Sequence, residues 1–246
     1  MNQGIGTMNI TNITVLEPEG PGNSGLTELP PIPEEILISG KPVQKGYRYY
    51  EEKESGFRAG VWACTAFQSR TEPHAGHEFM HLLEGTVTIV HEDGSELEVS
   101  AGERFFIPKG TIRSWKQTGP VRKYYMIFPD PSGPPPRYAR SLRAFKVETR
   151  PSNNGGRNAS SLEAIFKDPT GRYSIGIWYP AEEGRVLQPR SATEMMLPVD
   201  APLTLLGADG EHEVAPGDVA LVPAGAQFGW RVSNRTRVMY CAFDGK

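Results

Sequence analysis

The stretch Ala101–Gly110, AGERFFIPKG, returns as Pro216–Gly225, PGDVALVPAG. Gly102, Pro108 and Gly110 are answered by Gly217, Pro223 and Gly225, 115 residues on. Downstream, Trp115 and Trp230, Tyr125 and Tyr240, and Phe128 and Phe243 keep that spacing. Upstream the spacing is 116: Trp62 answers to Trp178, Glu78 to Glu194, and Asp93-Gly94 to Asp209-Gly210. So many matches at one offset, with a single residue dropped near a turn, read as two copies of one unit of roughly 85–100 residues.

Each copy is written in strands and turns. The run Gly85–Val99, GTVTIVHEDGSELEV, alternates, breaks at Asp93-Gly94 and alternates again, which is a hairpin signature. ERFFIPKG and VRKYYMIF read as further strands, and 27 Gly and 22 Pro punctuate the chain. A helical apolar period is limited to a short piece near Ser160–Phe166. The pattern predicts an all-β protein in which each of the two tandem copies is a β-sandwich, jelly roll or barrel. The expected layout is an extension over 1–45, barrels over 46–130 and 162–246, and a linker over 131–161. RAFKVE inside that linker could add one strand, and ITNITVLE in the extension reads as another that wraps a barrel or a partner subunit.

Composition narrows the function classes. A chain of 246 residues, 38% hydrophobic and 22% charged, can bury a substantial core. A formal net charge of -3 gives no reason to expect nucleic acid or an anionic membrane as partner. No apolar run is long enough to span a bilayer. The N-terminal MNQGIGTMNI predicts no signal peptide. Two cysteines, Cys64 and Cys241, read as buried free thiols, which suits a cytoplasmic protein. Phosphate-binding glycine loops, Cys-x-x-Cys pairs and Gly-x-Ser-x-Gly elbows do not occur.

Thr71–Val90, TEPHAGHEFMHLLEGTVTIV, packs three histidines and three glutamates before a Val/Ile-rich run. With AGERFFIPKG this resembles the cupin pattern, G-x5-H-x-H-x3–4-E-x6-G followed by G-x5-P-x-G-x2-H-x3-N. Glu78 lies seven residues before Gly85, at the place of the cupin glutamate, and the two histidine places fall on Glu72 and His74. The second motif matches at Gly102, Pro108 and Gly110, with Arg113 at its histidine place. HEFMHLLEG…AGERFFIPKG…W is similar to the cupin subgroup that contains (S)-ureidoglycine aminohydrolase. That likeness implies double-stranded β-helix barrels and a divalent metal, here held by Glu72, His74 and Glu78. Manganese, iron or zinc would suit two carboxylates and an imidazole.

Alternation sorts the cluster. Glu72, His74 and Glu78 are spaced by even numbers and can face one barrel interior, together with Met80 and Leu82. His77 and His81 have the opposite parity and read as rim or intersheet residues. His91 and His212 stand by hairpin turns and read as surface. Arg113 breaks the ligand set, because a guanidinium has no acceptor and stays protonated. It could instead neutralise Glu72 and Glu78, or grip a substrate carboxylate. Trp115, Met80 and Trp62 would line the pocket beside it. In the second copy the matching places are Gln188, Arg190 and Glu194, with Phe228 for Arg113. Arg190 and Glu194 read as an ion pair in a scaffold half.

Three functions follow. The first is metal-assisted hydrolysis or lysis of a small nitrogen-bearing carboxylate in the first barrel, with Glu72, Glu78 and Arg113 catalytic. The second is metal-free, non-catalytic binding of a small molecule. The third is a metal-dependent dioxygenase. A homodimer is expected in each case, since barrels of this kind leave apolar sheet faces uncovered.

Overall fold

The computed structural model describes residues 11–130, 143–148, 160–185, 191–233 and 235–245. Among them the regular structure is antiparallel strand, apart from two three-residue 3-10 turns at Pro21–Asn23 and Glu34–Ile36. The chain divides into two compact units, one built on Glu17–Val147 and one on Ile10–Leu16 with Glu148–Lys246. No helix of the described residues is long and apolar enough to cross a membrane.

The first unit has two sheets. One runs in the order Phe145–Lys146, Arg104–Ile107, His77–Glu84, Val121–Phe128, Phe57–Cys64, Gln44–Glu52, Thr27–Glu28. The other runs Glu96–Ser100, Thr86–His91, Ile112–Gln117, Phe67–Ser69, Leu37–Gly40, and the short Glu72–Pro73 also pairs with Ile112–Gln117. Alternate residues of each strand meet in one core: Met80 and Leu82, Val87 and Ile89, and Phe105 and Ile107 with Trp115. Fully burying a side chain such as Ile89 contributes about 1.5–3 kcal/mol, so truncating any of these would open a costly void. The predicted hairpin pairs Val87 with Val99 and Val90 with Glu96. Its loop ends on Gly94 at φ 81, a left-handed place that glycine fills without strain.

The second unit repeats the order. One sheet runs Thr14–Val15, Ala220–Val222, Ala192–Pro198, Val238–Asp244, Tyr173–Tyr179, Ser161–Lys167; the other runs Glu183–Arg185, Gly229–Arg231, Leu203–Gly207, Gly210–Val214. The two quoted motifs make matching turns: Thr111 N–H donates to Pro108 O and Ala226 N–H to Pro223 O, each at 3.2 Å. Gly60 and Gly176 also do one job. A methyl group at either would press on a backbone carbonyl at 2.3 Å and on the hydroxyl end of Tyr125 or Tyr240.

The flanking segments are shared out between the units. Phe145–Lys146, inside RAFKVE, pairs with Arg104–Ile107 at the sheet edge of the first unit. Thr14–Val15, inside ITNITVLE, takes the corresponding edge in the second, against Ala220–Leu221. Thr27–Glu28 and Leu37–Gly40 lengthen the first unit's sheets, so much of the expected extension is integral to that barrel. Ser160–Phe166 corrects the one helical reading: Ser161–Lys167 is a strand. A register shift between Ala164 and Phe166 breaks its alternation, and the bulge mimics a helical spacing of apolar residues.

Candidate functional site

The site is built from the strand His77–Glu84, which is paired on both sides, with Arg104–Ile107 and with Val121–Phe128. Glu78, Met80 and Leu82 point inward from it, as alternation predicts. Across from Leu82 lies Lys123, the inward residue of the neighbouring strand and only 7% exposed. Its Nζ is 2.9 Å from Glu78 Oε1 and 2.9 Å from Met80 Sδ. The same ammonium lies 4.7 Å from the ring centroid of Trp115 and 5.0 Å from that of Trp62. The two indoles stand at 88° to one another, 6.0 Å apart. Trp62 Nε1 donates to Gln44 Oε1 and Trp115 Nε1 to Gln117 Oε1, so their polar edges are satisfied and their faces are left to the cation.

Glu78 reaches the other way to His74, whose Nε2 lies 3.1 Å from Oε2, an approach short of a well-aligned hydrogen bond. Arg113 Nη2 lies 2.9 Å from His74 Nδ1. Because a guanidinium only donates, Nδ1 accepts and the imidazole proton sits on Nε2, facing Glu78. The result is one chain, Arg113–His74–Glu78–Lys123.

Electrostatics fix the charges along it. Burial pushes Glu78 toward its neutral form, but Lys123 and then His74 outweigh it and hold the carboxyl well below the usual range. Burial lowers His74, and Arg113 lowers it further, so the imidazole is neutral at pH 7. Burial also lowers Lys123, and the attraction of Glu78 opposes that. Arg113 is lowered by burial and supported by Glu78 and Glu72.

The expected residues divide accordingly. His74 and Glu78 come together, and Trp62, Trp115 and Met80 surround the same point. Glu72 pairs with Arg113 through the backbone and stays partly exposed. Among the described residues no three His, Cys, Asp or Glu side chains gather into a group able to hold a metal ion. The donors that a metal would use are engaged: both oxygens of Glu78 and both nitrogens of His74 face protein partners. A dication there would meet the ammonium and guanidinium at close range, where repulsion in a dehydrated interior is severe. The set Glu72, His74, Glu78 therefore does not fit a metal, and a lysine holds the cation place.

His77 and His81 face away from the pocket, as parity predicts. His77 stacks on Phe106 at 6.2 Å and accepts from Lys109 N–H. His91 corrects a surface reading. It is buried, and its Nε2 accepts from the backbone N–H of Ala144, because the 143–148 segment covers it.

Residues 51–125 match the sequence profile of the EutQ-like cupin domain. Over that stretch the first barrel resembles a cupin domain. No curated protein sequence matches the chain. Solved structures share the fold at low identity. One is a protein of unknown function from Pseudomonas syringae pv. tomato, 18% identical, with TM-score 0.67 over 94% of this chain and 98% of that one. A cupin 2 conserved barrel domain protein from Leptotrichia buccalis is 12% identical, with TM-score 0.58 over 89% and 98%. Protein Ylba from E. coli is 13% identical, with TM-score 0.55 over 94% and 90%.

Lys123 is the member of this site that sequence reasoning missed. The signal lay in the repeat: 115 residues on stands Val238, a core residue with no exposed surface. A lysine aligned with a core valine is an inward lysine. In the second barrel Glu194 is buried beside Trp178, Trp230, Met196, Phe228 and Tyr240. Gln188 and Arg190, and so the expected Arg190–Glu194 pair, lie outside the described residues.

Proposed function

We propose that this chain is a metal-independent cupin whose first barrel binds a small carboxylic acid through Arg113. One observation carries the reading. Lys123 neutralises Glu78 and His74 is neutral, so the guanidinium of Arg113 is the charge in this chain of contacts that no buried carboxylate touches. Its Nε–H is buried and has no hydrogen-bond acceptor among the described residues. His74 holds one terminal nitrogen and thereby fixes the plane of the fork, which suits bidentate recognition of a carboxylate. Glu72, partly exposed alongside, lends long-range support to the arginine. Hydrolysis of the ureidoglycine type and oxygen chemistry both call for a metal that this donor set does not suit, so binding is the function supported best.

Calorimetric titration of acetate, glycolate and benzoate into purified protein, before and after EDTA, tests this. The expected result is saturable binding that EDTA leaves unchanged and that Arg113→Gln weakens by about tenfold to a hundredfold, the range of a charged hydrogen-bonded pair. Binding that EDTA abolishes and manganese or zinc restores would overturn it.

A further inference from the structure

The strand Phe57–Cys64 sends Arg58, Gly60 and Trp62 to the interior of the first barrel by alternation. Register places Arg58 beside Ile127 and Ile127 beside Glu78, in the row next to Gly60, Tyr125 and Met80. Arg58, half-buried, thus approaches the Glu78–Lys123 pair along one sheet, while Arg113 approaches it through His74 from the other. Arg48, opposite Gly60 in register, shares the same face. Two of these four cations are closed by carboxylates. Lys123 holds Glu78, and Arg48 Nη1 lies 2.6 Å from Glu51 Oε1. Among the described residues neither Arg113 nor Arg58 makes an ion pair with a carboxylate. Arg113 Nη2 turns to His74, and Arg58 Nη1 donates to the carbonyl of Gly56 at 3.2 Å.

Both guanidinia are felt at one point. Burial lowers Lys123, Glu78 opposes that, and Arg113 and then Arg58 add repulsion. Tyr125 lies within hydrogen-bonding reach of Arg48. Burial raises its phenol against the pull of Arg48 and Arg58, so it is neutral at pH 7 and keeps an O–H to donate. The second barrel loses both arginines together. Ser174 stands where Arg58 stands and Phe228 where Arg113 stands, whereas Gly176, Trp178 and Tyr240 keep the places of Gly60, Trp62 and Tyr125. Ser174 pairs with Ala242 just as Arg58 pairs with Ile127. The shared frame therefore folds without the two guanidinia, and they belong to what the first barrel does with its interior.

We infer that the acid bound in the first barrel is a dicarboxylate, with one carboxylate on Arg113 and the other on Arg58 and the Tyr125 hydroxyl. The inference rests on the carboxylate site proposed above and names its ligand class. Withdrawing a guanidinium from water without a counter-charge is unfavourable, and a dianion relieves both arginines at once. Each fork of donors fits one carboxylate, and the neutral phenol donates to an oxygen of the second. A monoacid would satisfy one arginine and leave the other in repulsion with Lys123. Glu72 acts on Arg113 only at long range and does not take the place of the ligand.

Calorimetric titration of the whole chain with malonate, succinate, glutarate and adipate, in EDTA, tests this, with the monomethyl ester of each as control. The half-ester keeps the carbon chain and removes one charge. At least one diacid is expected to bind about tenfold or more tightly than its half-ester. Arg58→Gln should bring that diacid down to the affinity of the half-ester, and Arg113→Gln should weaken both. If Arg58→Gln fails to fold, the ratio of diacid to half-ester on the wild-type protein decides. Half-esters that bind as tightly as their diacids, or a diacid preference intact in Arg58→Gln, would overturn the inference and leave the carboxylate site standing. Absence of binding by diacids and half-esters alike would overturn the carboxylate site and this inference with it.

Discussion

Positions 123 and 238 lie on equivalent strands of the two barrels, and both are buried, yet one carries an ammonium and the other an isopropyl group. Around them the frame is nearly constant: two perpendicular indoles, a thioether and a glutamate. The comparison shows how two exchanges, Lys123 for Val238 and Arg113 for Phe228, change the charge inside a barrel. With lysine inside, the carboxylate is neutralised internally and the free positive charge moves out to Arg113. With valine inside, the carboxylate and the rings face a cavity.

The largest effect that can break this comparison is loss of the internal cation. Lys123→Met should destabilise the protein by about 3–5 kcal/mol in urea denaturation, because it leaves Glu78 as a buried, uncompensated charge. Adding Glu78→Gln should recover most of that loss, because the pair is then removed together. A Lys123→Met protein as stable as wild type would mean that the ammonium does not compensate Glu78, and the contrast with Val238 would lose its meaning.

Acid sharpens the contrast next. His74 is held below its usual value of about 6.5, so on acidification the unfolded chain takes up a proton before the folded one, and stability falls as pH drops below that value. Glu78 is depressed too, so its contribution is present above the usual glutamate value of about 4.3 and is lost as pH falls further toward the folded value. The melting temperature should therefore decline in two steps between about pH 7 and pH 3. His74→Gln should remove the upper step. An unchanged upper step in that variant would place its origin elsewhere.

The smallest effect treats both barrels alike. Burial pushes the Cys64 thiol up to about 11 and raises Cys241 further still. Neither should react with a maleimide in native protein at pH 8, and both should react in urea. Rapid native labelling of Cys64 alone would show that the first barrel opens where Gln117 binds the backbone carbonyls of Cys64 and Thr65.

Much of the fold was legible because it was written twice. Glycine and proline at matching offsets recur where the backbone needs the same turns, and alternation placed Glu78, Met80 and Leu82 inside. The bulged strand Ser161–Lys167 misled for a definite reason: a bulge erases the period-two signal on which strand reading depends. His91 misled because the segment that buries it comes from a stretch more than fifty residues away.

The sequence by itself determined two copies of an all-β unit, the inward face of the strand that carries Glu78, Met80 and Leu82, and a guanidinium, Arg113, at a place where a metal ligand would stand. These follow from local rules, in which side chains alternate and turns demand glycine. Only the tertiary structure decided what fills the first barrel. Lys123 is far from Glu78 in sequence and reaches it only because their strands are neighbours in one sheet, with Trp62 and Trp115 converging from other strands. The balance between metal and ammonium is set by distances of about three ångströms between such strands, and no local pattern encodes those distances.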